Sequence, residues 1–232
     1  MAYPNVAFIT LTNSGYIDYT LNCLKSLDMI EFPKPLHCYC IGEEGYNKLK
    51  EKGYTCSLLS DEINDNFQEY RSGNWSNIVS HKFDIIYENL KRYDYVCITD
   101  GDIVFENKEF MDFLLNNIGE NDILSQSEMM DEGDKSHMCS GFILIQSTPT
   151  TLQLFNPVNV ERFRDVVGWG DQLYLNDISS QVKYDVLPLS KFPNGRYYYA
   201  NCQTIKPYMI HFNWVVGHEK RQKMIEHEKW YM

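Results

Sequence analysis

The stretch Tyr95-Val-Cys-Ile-Thr-Asp-Gly-Asp-Ile-Val-Phe105 is an apolar run that ends in two carboxylates one residue apart, Asp100 and Asp102. Side chains two apart on a strand share a face, so a buried strand emerging into a cleft presents both carboxylates there. Hard oxygen ligands in this arrangement suit Mg2+ or Mn2+, and Mg2+ is usually held by one or two carboxylates together with substrate phosphates. A phosphate- or diphosphate-bearing substrate follows from that reading. Asp-Gly-Asp is equally the composition of a solvated turn after a strand, and the surrounding chain has to decide between the two.

Upstream of this stretch the pattern alternates between strand and helix. Residues 5–12 read as a buried strand, and residues 14–27 as a helix with Ile17, Leu21, Leu24 and Leu27 at helical spacing. A second unit places a strand at 35–41, a helix at 43–52 and a third strand at 54–59, closed by a polar segment with Asp61, Asn64 and Asp65. A loop around 71–74 and a helix over 76–92 lead into the Asp-Gly-Asp strand. This order predicts an α/β fold, a Rossmann-like, mostly parallel sheet flanked by helices with ligands at the carboxyl ends of its strands.

Downstream the pattern is less regular. It predicts a helix at 108–116, a strand at 122–125, a loop at 129–140, a strand at 141–147 and helices at 150–155 and 171–177. A short strand at 185–187, a Tyr-rich loop over 192–201, a strand at 208–212 and a terminal helix complete it. No Pro/Gly/Ser-rich linker divides the chain. The expectation is one domain over 1–232, with a nucleotide-binding half to about residue 105 and a smaller, mixed acceptor-side lobe over about 106–232.

The composition agrees with a folded, soluble protein. The 232 residues are 44% hydrophobic and 14% aromatic, enough to bury a sizeable core. A net charge of -11 argues against a general nucleic-acid or anionic-membrane binder. Seven scattered cysteines, mostly inside apolar runs, fit reduced buried thiols and a cytosol-like compartment. No apolar run reaches the ~18 residues that a membrane span requires, so a soluble, cytoplasmic protein is expected.

Three later motifs favour the metal reading. His211 closes the late apolar strand Tyr208-Met-Ile-His-Phe-Asn213, where an imidazole could complete the site begun by the two aspartates. Gly217-His-Glu-Lys220 follows at a helix start, where backbone N–H groups, the helix dipole and an ammonium group could face a diphosphate. Gly168-Trp-Gly-Asp-Gln172 exposes Asp171 and Gln172 after two glycines, an acid–amide pair suited to sugar hydroxyls. As an alternative, Asp171 is a simple helix cap.

Together these motifs resemble the nucleotide-diphospho-sugar transferases, glycosyltransferases of the GT-A fold. The resemblance runs nearly the whole length: Phe8-Ile-Thr-Leu-Thr-Asn13 with Gly15-Tyr16, Lys82, Asp100-Gly101-Asp102, Ser140-Gly141, Asp171-Gln172, and His211 with Gly217 and Lys220. It implies that Thr10, Thr12, Asn13 and Tyr16 line the nucleotide pocket, with Lys82 near the ribose or phosphates. Asp100 would reach the ribose side and, with Asp102 and His211, ligate Mn2+ or Mg2+. Gly217 and Lys220 would hold the diphosphate, Gly101, Ser140 and Gly141 would border the donor sugar, and Asp171 and Gln172 would sit at the reacting centre. The implied partners are a nucleotide-sugar donor, expected to be a UDP-sugar, and a glycan or glycoprotein acceptor, with retention of configuration. The absence of an anchor resembles the short soluble forms of large algal viruses, for which the compartment would be host cytoplasm. The loop 129–137 and the Tyr-rich segment are expected to shape the acceptor site.

Two other readings compete. Asp100-Gly-Asp-Ile-Val104 fits the Asp-x-Asp form of haloacid-dehalogenase-like phosphatases, though their motif usually lies on the first strand. A nucleotide-sugar-binding module without transfer activity would keep the same residues.

Overall fold

The computed structural model describes residues 5–60, 68, 71, 73–164, 166 and 168–232. The polar segment with Asp61, Asn64 and Asp65 lies outside the described residues.

β1 (Val6–Asn13) passes through one 3-10 turn (Ser14–Tyr16) into α1 (Ile17–Met29), and β2 (His37–Ile41), α2 (Glu43–Glu51) and β3 (Cys56–Ser60) repeat the unit. α3 (Trp75–Leu90) precedes β4 (Tyr95–Thr99), the Asp-Gly-Asp turn and the short β5 (Ile103–Phe105). The remainder is α4 (Phe110–Asn117), β6 (Ile123–Ser127), β7 (Met138–Gln146), α5 (Pro149–Leu154), α6 (Pro157–Arg164), α7 (Asp171–Asp177), β8 (Tyr184–Leu187), α8 (Gly195–Asn201), β9 (Met209–His211) and α9 (Gly217–Glu226).

Seven strands form one sheet in the order β3-β2-β1-β4-β7-β6-β8, and β5 pairs with β9 in a second. All strands of the large sheet run the same way except β7, which is antiparallel to both β4 and β6. The strands read as continuous apolar runs because both faces are covered. Val6, Phe8, Cys97, Phe142 and Leu144 enter one core with Leu21 and Leu24 of α1 and Phe110 of α4. Their neighbours Ala7, Ile9, Val96, Ile98, Ile143 and Ile145 enter the other, with Phe83 and Leu90 of α3 and Leu175 of α7. A third cluster packs Val104 and Ile210 of the small sheet against Tyr19, Tyr198 and Met224.

Sheet order decides where the site lies. β1 has β2 on one side and β4 on the other, so the chain's direction of travel reverses between β1 and β4, and a crevice opens at their carboxyl ends. The reversed β7 starts at that same edge, bringing residues 139–141 beside the end of β4, where the Asp100 N–H donates to the Gly141 carbonyl at 2.7 Å.

The structure corrects two readings. Asp100 and Asp102 do not share a strand face: β4 ends at Thr99 and both carboxylates sit in the turn before β5, so the turn and the cleft are one feature. The expected Tyr-rich loop contains a helix, α8, whose Asn194 cap accepts from the Tyr197 N–H at 2.9 Å. Tyr198 is buried and the Tyr199 ring stacks on His227, so both do packing work.

The Phe142 side chain is fully buried among Phe105, Phe110 and Phe192. Phe142→Ala is expected to cost about 3–5 kcal/mol of folding free energy, measured by urea unfolding. A loss below about 1 kcal/mol would show that this ring is not part of a packed core.

Candidate active site

A cleft of about 580 Å3 opens at the carboxyl edge of the sheet. It collects residues from every part of the chain: Thr12, Asn13 and Tyr16 after β1, Lys82 of α3, the Asp-Gly-Asp turn, Ser140 and Gly141 of β7, Asp171 and Gln172 of α7, and His211, Gly217 and Lys220 near the C-terminus. Of the residues singled out in the sequence, Thr10 alone does not line it; this threonine is fully buried within β1.

The small sheet brings His211 to the aspartates. In the β5–β9 ladder Ile103 lies opposite His211, and the Phe212 N–H donates to the Asp102 carbonyl at 3.1 Å. Donor atoms of Asp100, Asp102 and His211 then lie within 4.8 Å of one another. Two glycines permit this closeness. A Cβ on Gly141 would run into the His211 imidazole, and one on Gly101 would run into the Thr20 hydroxyl of α1.

The ring's hydrogen bonds assign its tautomer. Gln126 Nε2 donates to the carbonyls of Phe192 and Pro193 at 3.1 and 2.8 Å, which turns Gln126 Oε1 toward His211 Nδ1 at 2.7 Å. Nδ1 therefore donates to Gln126, and Nε2 is the ring atom that faces Asp102 Oδ1 at 3.3 Å and Asp100 Oδ2 at 3.9 Å. Among the described residues, the buried Asp102 Oδ1 has no hydrogen-bond partner. Two carboxylates and an imidazole nitrogen converging on one point fit a divalent cation.

Two lysines compensate the carboxylates. Lys82 bridges Asp100 Oδ1 at 2.6 Å and Asp171 Oδ2 at 2.5 Å. Lys220 pairs with Asp102 and reaches the Tyr16 hydroxyl at 3.1 Å. Burial works against both ammonium groups, but the neighbouring carboxylates outweigh it and hold both pKa values above the usual range. Burial pushes the Asp102 carboxyl up, while the Lys220 ammonium pulls it further down, to well below the ordinary carboxylate range. Asp100 ends above that range: burial raises it, Lys82 lowers it and the Asp102 charge raises it again.

Gly217 adopts φ +55, and its carbonyl accepts from the Tyr19 hydroxyl at 2.8 Å, so α1 fixes the start of α9. On the far wall a Cβ on Gly170 would meet the Trp75 ring, and Gln172 Oε1 accepts from the Ser140 N–H at 3.4 Å. Sequence reasoning did not single out Gln126, Glu128, Cys139 or Trp214. Gln126 falls just past the strand expected at 122–125 and belongs to no motif, and its role depends on carbonyls 66 and 67 positions away. Burial raises the Glu128 carboxyl, which lines the cleft and accepts from Asn213 Nδ2 at 3.5 Å.

Comparison with known proteins bears on the family and the fold. Residues 40–224 match the nucleotide-diphospho-sugar transferase family. A UDP-galactose:fucoside alpha-3-galactosyltransferase of Dictyostelium discoideum is 24% identical over 98% of the chain, which spans about 43% of that relative's length. Among solved structures, the galactosyltransferase LgtC superimposes with a TM-score of 0.60 at 13% identity, covering 88% of this chain and 86% of its own. The glycosyltransferase GlyE of Streptococcus pneumoniae TIGR4 gives 0.63 at 16% identity, covering all of this chain and 61% of its own. A glycosyltransferase involved in glycosylation of the major capsid of PBCV-1 gives 0.60 at 9% identity, with 96% and 100% coverage. Among the described residues no helix is long and apolar enough to cross a membrane. A mostly parallel sheet with a second small antiparallel sheet, and a cleft at the carboxyl ends of its strands, is the GT-A arrangement, and the chain belongs to the nucleotide-diphospho-sugar transferase family of glycosyltransferases.

Proposed function

We propose that the chain transfers a sugar from a UDP-sugar to a hydroxyl of a glycan acceptor in a reaction that depends on a divalent metal and retains anomeric configuration. The observation that carries this reading is the convergence of Asp100, Asp102 and His211 Nε2 in the cleft. These three residues would hold Mn2+ or Mg2+. Bound there, the ion would supply Lewis-acid charge to the leaving diphosphate.

The chain's own residues account for the rest. Lys220 and the N–H groups at the start of α9 add positive charge on the same side. Thr12, Asn13 and Tyr16, which line the cleft after β1, would take the base and ribose, and Ser140, Gly141 and Asp171, which also line it, would take the donor sugar. Asp171 is committed to Lys82, which disfavours its service as a covalent nucleophile and favours front-face displacement beside Gln172. The relative's name makes UDP-galactose and a fucoside the first donor and acceptor to try.

With Mn2+, one UDP-sugar from a panel is expected to release UDP, and EDTA is expected to abolish the release. Asp102→Ala should lower turnover by at least about 10²–10³-fold. Near-normal turnover in that variant, or hydrolysis of p-nitrophenyl phosphate lost in Asp100→Asn, would overturn the reading in favour of a phosphatase.

Gln126→Leu removes the acceptor that fixes the His211 tautomer. Mn2+ affinity measured calorimetrically should fall about 10–100-fold with the fold intact. Unchanged affinity would remove His211 from the metal site. Retention is checked by proton NMR of the first-formed product, which is expected to keep the donor's anomeric configuration.

A further inference from the structure

Trp214 combines three properties that packing does not explain. Its backbone lies at φ +66, a left-handed conformation that bulky residues rarely adopt. Its side chain is nevertheless 51% exposed, so burial does not offset that strain. It also lines the cleft, three positions after the metal-ligand candidate His211.

The segment carrying it is held firmly. Asn213 Oδ1 accepts from the Gly195 N–H at 2.6 Å, the Asn213 carbonyl accepts from the Tyr199 hydroxyl at 3.4 Å, and a Cβ on Gly195 would collide with that carbonyl. The Arg196 guanidinium lies 5.4 Å from the indole centre and orients the ring. An exposed aromatic side chain on a fixed backbone is a platform with little conformational entropy left to lose on binding.

The same segment reaches Glu128. Asn213 Nδ2 donates to Glu128 Oε2 at 3.5 Å, and Glu128 lines the same cleft as Gln172, one of the two residues assigned to the reacting centre. A carboxylate and an aromatic face therefore lie in the cleft that Gln172 also lines, held to each other through Asn213.

We propose that Trp214 and Glu128 form the acceptor subsite, in which a neutral pyranoside lays a C–H face on the indole and directs hydroxyls to the Glu128 carboxylate beside Gln172. This rests on the transferase reading for its place in the reaction. It follows from the chemistry of sugars, whose axial C–H groups pack on flat apolar rings and whose hydroxyls donate to carboxylates. None of the three tyrosines of α8 lines the cleft, Tyr198 being buried and Tyr199 stacked on His227, so α8 contributes by holding Asn213 and Trp214 in place.

The test uses the whole chain with Mn2+ and UDP. Methyl α-L-fucopyranoside, methyl β-D-galactopyranoside and methyl β-D-glucopyranoside are titrated while the indole N–H resonances of the four tryptophans are followed by NMR, with W214A identifying that of Trp214. At least one glycoside is expected to move the Trp214 resonance saturably, and E128Q is expected to weaken that binding about tenfold. In transfer assays with the same glycoside, W214A should raise the acceptor KM about tenfold while moving the donor KM less than about twofold, and W214F should recover most of the loss. No response from any glycoside, or a donor KM that rises as much as the acceptor KM, would overturn the subsite. A Trp214 response in a protein that releases UDP from no UDP-sugar would support the subsite and overturn the transferase reading.

Discussion

Two carboxylates on one buried turn repel each other, and the arrangement of the whole cleft follows from relieving that repulsion. Asp102 is almost completely buried, and an uncompensated charge there would cost several kcal/mol. Compensation comes from two distant parts of the chain: Lys82 on α3 and Lys220 on α9. Each is itself buried, so neither finds an alternative partner in solvent. The fold therefore closes around the Asp-Gly-Asp turn, and misplacing either element leaves charges unpaired in a low-dielectric interior.

The repetitive first half of the fold was legible in the sequence because its signals are local. Val6, Phe8 and their neighbours alternate between two apolar cores, and Ile17, Leu21 and Leu24 repeat at helical spacing, so a short window suffices. The reversed β7 was not legible as antiparallel, because strand direction depends on what precedes the strand in space. The helix at 195–201 was hidden by three consecutive tyrosines, which favour strands on propensity; the Asn194 cap and the third core cluster override that preference.

The candidate site divides along the same line. Asp100, Asp102, His211, Asp171 and Lys220 stood out because charged or titratable residues beside apolar runs need a reason. Gln126 and Trp214 did not, since an amide on a strand and an indole after an Asn carry no signal until the carbonyls of 192 and 193, or the φ of 214, are known. Thr10 illustrates the converse. It shares a strand face with Thr12, yet the cleft ends between them, and a depth of one residue pair cannot be read from alternation.

Charge balance also links the metal site to the kind of ligand the cleft accepts. Asp100, Asp102 and Asp171 set three negative charges against the two ammonium groups of Lys82 and Lys220, a deficit of one positive charge. A divalent cation between the aspartates and His211 would turn that deficit into one excess positive charge, in a chain whose net charge is -11. An acidic protein can thus present a local positive field only where its lysines and the ion coincide. Lys220 sits where both demands meet. It neutralises Asp102 when the chain is alone, and it is already desolvated, tethered to Tyr16 and next to the start of α9 when an anion arrives. Such a residue pays most of its burial cost in folding, so its attraction for a phosphate oxygen is available in binding.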